Sequence, residues 1–142
     1  MNTDPIIIEK TFDSKIDVLW KAITDKEEMK KWYFHMSDFK PEVGFEFKFE
    51  GKSEKCTYIH NCRVIEVIPG RKLTHTWSYE GYDGLSFLTM ELSPDGESTV
   101  FRLTHEGVDT FPQDEPDFAR ESFEAGWNYI IGTSLREYLE KI

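Results

Sequence analysis

The side chains best suited to chemistry fall at alternate positions of three stretches, each with the period of a β-strand. The first stretch holds two thiols, a phenol and an imidazole, from Cys56, Tyr58, His60 and Cys62. His60 and Cys62 could ligate one zinc ion, because residues i and i+2 share a strand face. Cys56 lies four residues from His60, about 13 Å along a strand, too far to join a coordination sphere of ~2.3 Å radius. We therefore predict no metal site. Glu66, on the same alternation, predicts that these side chains face outward.

The second and third stretches place imidazoles among aromatic and aliphatic side chains. His75, Trp77 and Tyr79 share one strand face, and His105 shares another with Phe101 and Leu103. A few polar groups within apolar walls are the usual composition of a small-molecule pocket. Hydrogen-bonded core histidines with rings that fill volume would give the same pattern. The alternation alone leaves both interpretations open.

The sequence lacks the common signatures of enzymes. It has no Gly-x-Ser-x-Gly, His-Glu-x-x-His, P-loop or Gly-x-Gly-x-x-Gly motif. His105 and Glu106 are neighbours on a strand and point to opposite faces, so they do not form a catalytic dyad. A histidine with a buried tyrosine or glutamate could still act as an acid–base pair in a cavity. Catalysis is therefore kept as a hypothesis, below binding.

The elements that position these residues follow from the hydrophobic period. Residues 5–12 predict a strand, and a helix follows that Asp13 or Ser14 can cap. A second short helix is predicted from Asp25 to Trp32. The period then changes to 2, which predicts about six antiparallel strands, one of them over residues 54–68.

A long amphipathic helix is predicted over about 117–141, with Pro116 in its first turn. The acidic residues before it, 114–117, are interpreted as a solvated loop, with a docking patch for a basic partner as the alternative. Helices segregated from an antiparallel meander predict an α+β fold, in which a curved sheet wraps around the last helix. We found no repeat or linker and expect a single domain over residues 1–142.

Composition excludes several classes of function. The chain has 142 residues with 27 acidic against 17 basic side chains, a net charge of −10, which argues against nucleic acid and anionic membrane surfaces. The N-terminus lacks the features of a signal peptide, and no apolar run approaches the ~20 residues of a membrane span. Two cysteines too far apart to pair predict reduced thiols and a cytoplasmic protein. Phe, Trp and Tyr make up 15% of the residues, so their rings either form the core or line a cavity.

Several segments together resemble a known family. They are VLWKAITDKEEMKKWYF (18–34), VGFEFKFEG (43–51), CRVIEVIPGRKLTHTWSYEG (62–81), FRLTHEGV (101–108) and EAGWNYIIGTSLREYLEKI (124–142). In sequence and order they resemble the activator of heat-shock-protein-90 ATPase homologue-like family, part of the START-like (SRPBCC) helix-grip superfamily. The resemblance implies a curved antiparallel sheet of six to seven strands, two short helices after strand one, and a C-terminal helix held over an internal cavity.

The resemblance also implies that the strand and helix faces with aromatic side chains line a ligand site. The residues expected to contact a ligand are His75, Trp77, Tyr79, Met90, His105, Phe123 and Trp127. Trp32, Tyr33 and His35 follow the second helix, where the superfamily often has its cavity entrance.

Three hypotheses for function follow, in order of preference. The first is non-enzymatic binding of a hydrophobic or aromatic small molecule, lipid-like, polyketide-like or flavonoid-like, with no cofactor. The second is association with a heat-shock-protein-90 chaperone or another stress-related partner, although eukaryotic co-chaperones of this name carry a further N-terminal domain. The third is cyclase-like or hydrolase-like catalysis. We expect a monomer or weak dimer.

Overall fold

The computed structural model describes residues 3–142. Its helices and strands are largely segregated along the chain. The strands are β1 (Ile6–Phe12), β2 (Glu46–Lys52), β3 (Thr57–Ile68), β4 (Lys72–Tyr79), β5 (Ser86–Asp95) and β6 (Ser98–Glu106). Helices α1 (Ile16–Thr24) and α2 (Lys26–Trp32) follow β1, and 3-10 turns at Val108–Thr110 and Pro116–Phe118 follow β6. The C-terminal helix consists of α3 (Arg120–Tyr129), a π-helical segment (Ile130–Leu135) and α4 (Arg136–Lys141).

The six strands form one open antiparallel sheet. Their order is β1-β6-β5-β4-β3-β2, so β2 to β6 are a meander of hairpins and β1 returns to pair with the last strand. The sheet curves around the C-terminal helix, and α1 and α2 connect its two edge strands. The predicted α+β helix-grip fold is confirmed.

The core lies between the inner face of the sheet and the apolar stripe of the C-terminal helix. Leu88, Phe101 and Leu103 on the sheet and Ile131 and Leu135 on the helix are fully buried. Full burial of each such side chain contributes about 1.5–3 kcal/mol relative to exposure. The predicted period-2 faces of β4, β5 and β6 therefore supply one wall of the core and the helix supplies the other.

The predicted cap of α1 is wrong. Lys15 is the N-cap residue and makes no side-chain capping bond. The two candidate residues are instead tied to β6, because Ser98 Oγ donates to Asp13 Oδ1 and Thr99 Oγ1 donates to the Ser14 carbonyl. By contrast, Asp25 Oδ1 accepts from the backbone N–H of Glu27 and caps α2.

The C-terminal helix begins later than the predicted residue 117. Residues Pro116–Phe118 form a separate 3-10 turn, with Pro116 at its start. Ala119 is extended, with φ −68° and ψ 148°, which separates that turn from α3. The turn is also tied to the sheet, because the Asp117 carboxylate accepts from Tyr58 and Ser53.

The expectation that the Cys56–Cys62 face points outward is wrong. Tyr58, His60 and Cys62 are buried on the inner face of β3. A β-bulge shifts the register between Val64 and Glu66, so one extra residue reverses the side on which the later positions lie. Glu66 is therefore outside, paired with Lys72 at 3.0 Å, although His60 is inside. Cys56 precedes the strand and is exposed.

No helix within residues 3–142 combines the length and the apolar character that crossing a membrane requires.

Candidate functional site

A cavity of about 210 Å³ lies between β2, β3 and β4 on one side and the first half of the C-terminal helix on the other. Aromatic side chains make up about half of its lining. The residues that line it are Phe34, Gly51, Lys52, Ser53, Tyr58, His60, Trp77, Tyr79, Asp117, Phe118, Ser122, Phe123, Gly126, Trp127 and Ile130. Lys52, Ser122 and Gly126 are exposed, so the cavity reaches the surface between the end of β2 and α3.

Two indoles form the deep part of the wall, one from the sheet and one from the helix. The Trp77 and Trp127 rings meet edge to face, with centroids 5.3 Å apart. Trp77 Nε1–H donates to the Tyr79 hydroxyl at 2.9 Å, two residues along the same strand face. Edge-to-face packing and a paired indole N–H both favour one fixed arrangement of these rings.

Behind Trp127 lies a buried hydrogen-bonded chain. Trp127 Nε1–H donates to His105 Nδ1 at 3.0 Å. An accepting Nδ1 requires that the proton of the neutral ring sits on Nε2, which donates to Ser86 Oγ at 2.8 Å. Ser86 in turn donates to the Trp77 carbonyl at 2.8 Å. Burial, with the nearby His75 and His60, lowers the pKa of His105 to about 3, so this chain contains a neutral imidazole.

His60 occupies the cavity wall beside β2. Its ring stacks on Phe49 with centroids 4.5 Å apart, and a Cβ at Gly51 would lie 2.6 Å from His60 Cε1. Only glycine at position 51 therefore leaves room for the imidazole. Burial lowers the pKa of His60 to about 4, against an opposing effect of the backbone of Phe49 and Tyr58. Among the described residues, no group hydrogen-bonds the buried His60 Nδ1.

A carboxylate ties the mouth of the cavity together. Asp117 Oδ2 accepts from the Tyr58 hydroxyl at 2.6 Å and from Ser53 Oγ at 2.9 Å. Burial, followed by the bond to Asp117, raises the pKa of Tyr58, and the same bond lowers the pKa of Asp117. These bonds join the β2–β3 hairpin to the turn that precedes α3, and thus the sheet to the helix side of the cavity.

The structure brings four of the seven predicted ligand contacts to this cavity. Trp77, Tyr79, Phe123 and Trp127 line it. The other three are buried outside the lining: His105 bonds to Trp127, His75 packs edge-on against Phe47, and Met90 pairs with Leu73 and Leu103 in the sheet.

The three residues predicted at the entrance take different positions. Trp32 is a core residue, 3% exposed, whose Nε1–H donates to the Ala22 carbonyl. Tyr33 packs beside Trp127, its buried hydroxyl has no partner in the described part of the chain, and burial raises its pKa. His35 is exposed and lines a surface groove with Lys48 and Glu50, not the cavity. Their neighbour Phe34 does line the cavity. The roles of all ten residues in binding stay predictions.

Sequence reasoning missed Tyr58, His60 and Asp117. Tyr58 and His60 occupy alternate positions of one strand, as Trp77 and Tyr79 do. This pattern indicates the inner face of the sheet more reliably than the single charge at Glu66. Asp117 carries no such signal, since an acid in an acidic stretch resembles any solvated residue.

The cavity presents groups that can bind a ligand, but no evident catalytic group. His60 is the only imidazole in the lining, and no carboxylate pairs with it among the described residues. Within residues 3–142 no three His, Cys, Asp or Glu side chains come close enough to hold a metal ion. What remains is a ring-lined cavity with a few fixed polar groups, the composition of a small-molecule site.

The fold is that of a helix-grip protein, in which a curved sheet holds a C-terminal helix. Within that class the chain belongs to the family of Activator of Hsp90 ATPase homolog 1-like proteins, which matches residues 13–140. The resemblance inferred from the sequence is confirmed. No curated protein matches the chain at a significant level.

Solved structures share the fold at low sequence identity. Protein MLL2253 from Mesorhizobium loti is 24% identical with a TM-score of 0.78, over 96% of this chain and 97% of that one. Protein BH1534 from Bacillus halodurans is 25% identical with a TM-score of 0.72, over 94% and 95%. DynU16, from the dynemicin biosynthetic locus, is 21% identical with a TM-score of 0.79, over 98% of this chain. The chain spans about half the length of DynU16, 48% of it.

Proposed function

We propose that this protein binds a small, ring-bearing hydrophobic molecule, without transforming it, in the cavity between the sheet and the C-terminal helix. The observation that carries the proposal is the lining, in which seven of the fifteen residues are Phe, Tyr or Trp. Aromatic walls with a few placed polar groups are typical of ligand pockets. Membership of a helix-grip family supports the same proposal.

The size of the cavity narrows the class of ligand. Drug-sized ligands occupy sites of about 300–1,000 Å³, whereas an engineered cavity of about 150 Å³ holds benzene. A volume of about 210 Å³ suits a molecule of one or two rings. It disfavours a long-chain lipid or a complete flavonoid unless the mouth opens.

The test is calorimetric titration of a two-ring probe, 2-methylnaphthalene, with a variant that blocks the cavity. Gly126 lies at the mouth, and a Cβ there would meet nothing within 4 Å, so Gly126→Leu adds bulk and its Cβ makes no clash. Gly132→Leu is the matched control, because Gly132 belongs to the same helix outside the lining and a Cβ there would meet only Lys10 at 3.9 Å.

We expect saturable 1:1 binding by the wild type and by Gly132→Leu, and a loss of at least tenfold in affinity for Gly126→Leu. Leucine is a better helix former than glycine, so weaker binding by Gly126→Leu cannot be ascribed to a weaker helix. Equal binding by all three proteins, or no binding by the wild type, would contradict the proposal.

The lining supports binding over catalysis. His75 and His105 lie outside it, and the pKa of His60, at about 4, leaves an imidazole that is a weak base at neutral pH. If a substrate is ever identified, full turnover by His60→Gln would exclude the one imidazole that the cavity presents.

A chaperone partner is the second candidate, and the family match is the observation that favours it. The acidic surface, with a net charge of −10, would supply electrostatic attraction to a basic partner. Adding the protein to a heat-shock-protein-90 chaperone tests this candidate. Stimulated ATP hydrolysis would support it, whereas no binding and no change in the rate would eliminate it.

A further inference from the structure

The polar groups of the cavity wall divide into those that the protein pairs and those that it leaves unpaired. The Trp77 and Trp127 N–H groups and the hydroxyl of Tyr58 all have protein acceptors. Two buried groups of the lining do not have a full set of partners among the described residues, the Tyr79 hydroxyl and the His60 imidazole.

The Tyr79 hydroxyl has a proton to donate. Its one hydrogen bond among the described residues is the bond that it accepts from Trp77 Nε1–H. A phenolic oxygen both donates and accepts, so the accepted bond leaves the O–H donor unused. Donation from the indole also polarises the hydroxyl and strengthens any bond that it donates onward.

His60 is 5% exposed, and its buried Nδ1 has no hydrogen-bond partner within residues 3–142. Buried polar atoms of native proteins are nearly always paired, and an unpaired one needs a specific explanation. The other ring nitrogen, Nε2, also has no hydrogen bond within residues 3–142 and is not fully buried, so a group of a ligand in the cavity can bond the imidazole there.

The two incompletely paired groups are neighbours. His60 and Tyr79 lie opposite each other in the β3–β4 ladder, and their ring centroids are 4.7 Å apart. They form one polar patch, and the other buried side chains of the wall are all aromatic. A ligand that reaches this patch needs an oxygen that accepts from Tyr79, and a proton that His60 can accept if its tautomer requires one.

We propose that the ligand is an uncharged phenol of one or two rings, whose hydroxyl accepts a hydrogen bond from Tyr79 and pairs with His60. This inference rests on the proposed function, because it names the chemistry of that same site. A hydroxyl group satisfies either neutral tautomer of the imidazole, whereas a carbonyl oxygen suits only one. An anion is disfavoured, because the Asp117 carboxylate lies at the mouth and the only lining cation, Lys52, is exposed.

The test compares three two-ring probes of similar shape by calorimetry at pH 7. They are 2-naphthol, 2-methylnaphthalene and 2-naphthoate, which present a hydroxyl, a methyl group and a carboxylate to the same patch. Phenols titrate near pH 10, so the naphthol stays neutral. Hydrophobicity alone favours the methyl compound, so the sign of the difference between the first two probes is decisive.

We expect 2-naphthol to bind at least about tenfold more tightly than 2-methylnaphthalene, because a site built to bond a hydroxyl rejects the analogue that lacks it. Tyr79→Phe should remove this preference. Tyr82→Phe is the control, because Tyr82 is 41% exposed and lies outside the lining. The wild-type comparison does not depend on whether either variant folds.

Each other outcome overturns the inference in a recognisable way. Equal or tighter binding of 2-methylnaphthalene refutes the phenol but leaves the proposed function standing, since the cavity still binds rings. Tighter binding of 2-naphthoate refutes the claim that the ligand is uncharged. If none of the probes binds, the proposed function fails and this inference fails with it.

Discussion

Replacing Ser86 by alanine removes one oxygen atom from the wall behind the cavity. That oxygen is the acceptor for His105 Nε2–H, and its own proton bonds the Trp77 carbonyl. Ser86 and His105 are both fully buried, so water cannot easily replace the lost partner. A buried donor left unpaired costs about 1–3 kcal/mol, and we expect Ser86→Ala to lower the free energy of unfolding by that amount.

Urea unfolding at pH 7, followed by tryptophan fluorescence, measures this difference. Ser93→Ala is the matched control, because Ser93 is an exposed residue of the same strand. It should change stability by less than about 0.5 kcal/mol. The denaturant midpoint should fall for Ser86→Ala with an unchanged slope. If the two variants unfold alike, the Trp127–His105–Ser86 chain does not stabilise the fold, and the assigned imidazole tautomer loses its support.

Three further predictions concern protonation, space and charge. The free energy of unfolding should fall between pH 7 and pH 5, because unfolded histidines take up protons near pH 6.5 while three buried ones have pKa values of about 3 to 4. These are His60, His75 and His105. Each contributes up to about 2 kcal/mol by pH 5, and an unfolding curve that is flat over this range would contradict the assignment. Gly51→Ala should weaken binding of 2-naphthol at least tenfold, since the new Cβ must displace the His60 ring, and an unchanged dissociation constant would refute that. Asp117→Asn should lower the free energy of unfolding by about 1 kcal/mol by weakening two hydrogen bonds, and the exposed Asp114→Asn should not. Equal urea midpoints would show that the Asp117 charge is not needed.

The sequence predicts those parts of the fold in which the hydrophobic period of a single strand or helix decides which side chains are buried. The alternation of β4 and β6 places Trp77, Tyr79 and Leu103 inside, and the structure buries all three. Each of these faces is uniform over its strand, so no long-range information is needed to assign it. The same holds for Trp127, which lies on the apolar stripe of α3.

The predictions that are wrong depend on structural features that the local sequence pattern does not contain. A single extra residue in β3 reverses its later positions, so the charge at Glu66 gave no valid information about His60. The role of Asp117 depends on Tyr58, 59 residues away, and no composition of the acidic loop could reveal that pairing. About half of the candidate site is therefore predictable from the sequence. Periodicity predicts that the indoles of Trp77 and Trp127 face inward, whereas the polar patch and the mouth depend on tertiary contacts.

The most direct test of the central claim uses the four indole N–H signals of the protein in a ¹⁵N–¹H correlation spectrum. Trp77 and Trp127 line the cavity, whereas Trp20 and Trp32 do not. With assignments made by single Trp→Phe substitutions, titration with 2-naphthol should shift the Trp77 and Trp127 signals in a saturable way and change the other two much less. Shifts confined to Trp20 and Trp32, or no shift in any indole signal, would contradict a ligand site between the sheet and the C-terminal helix.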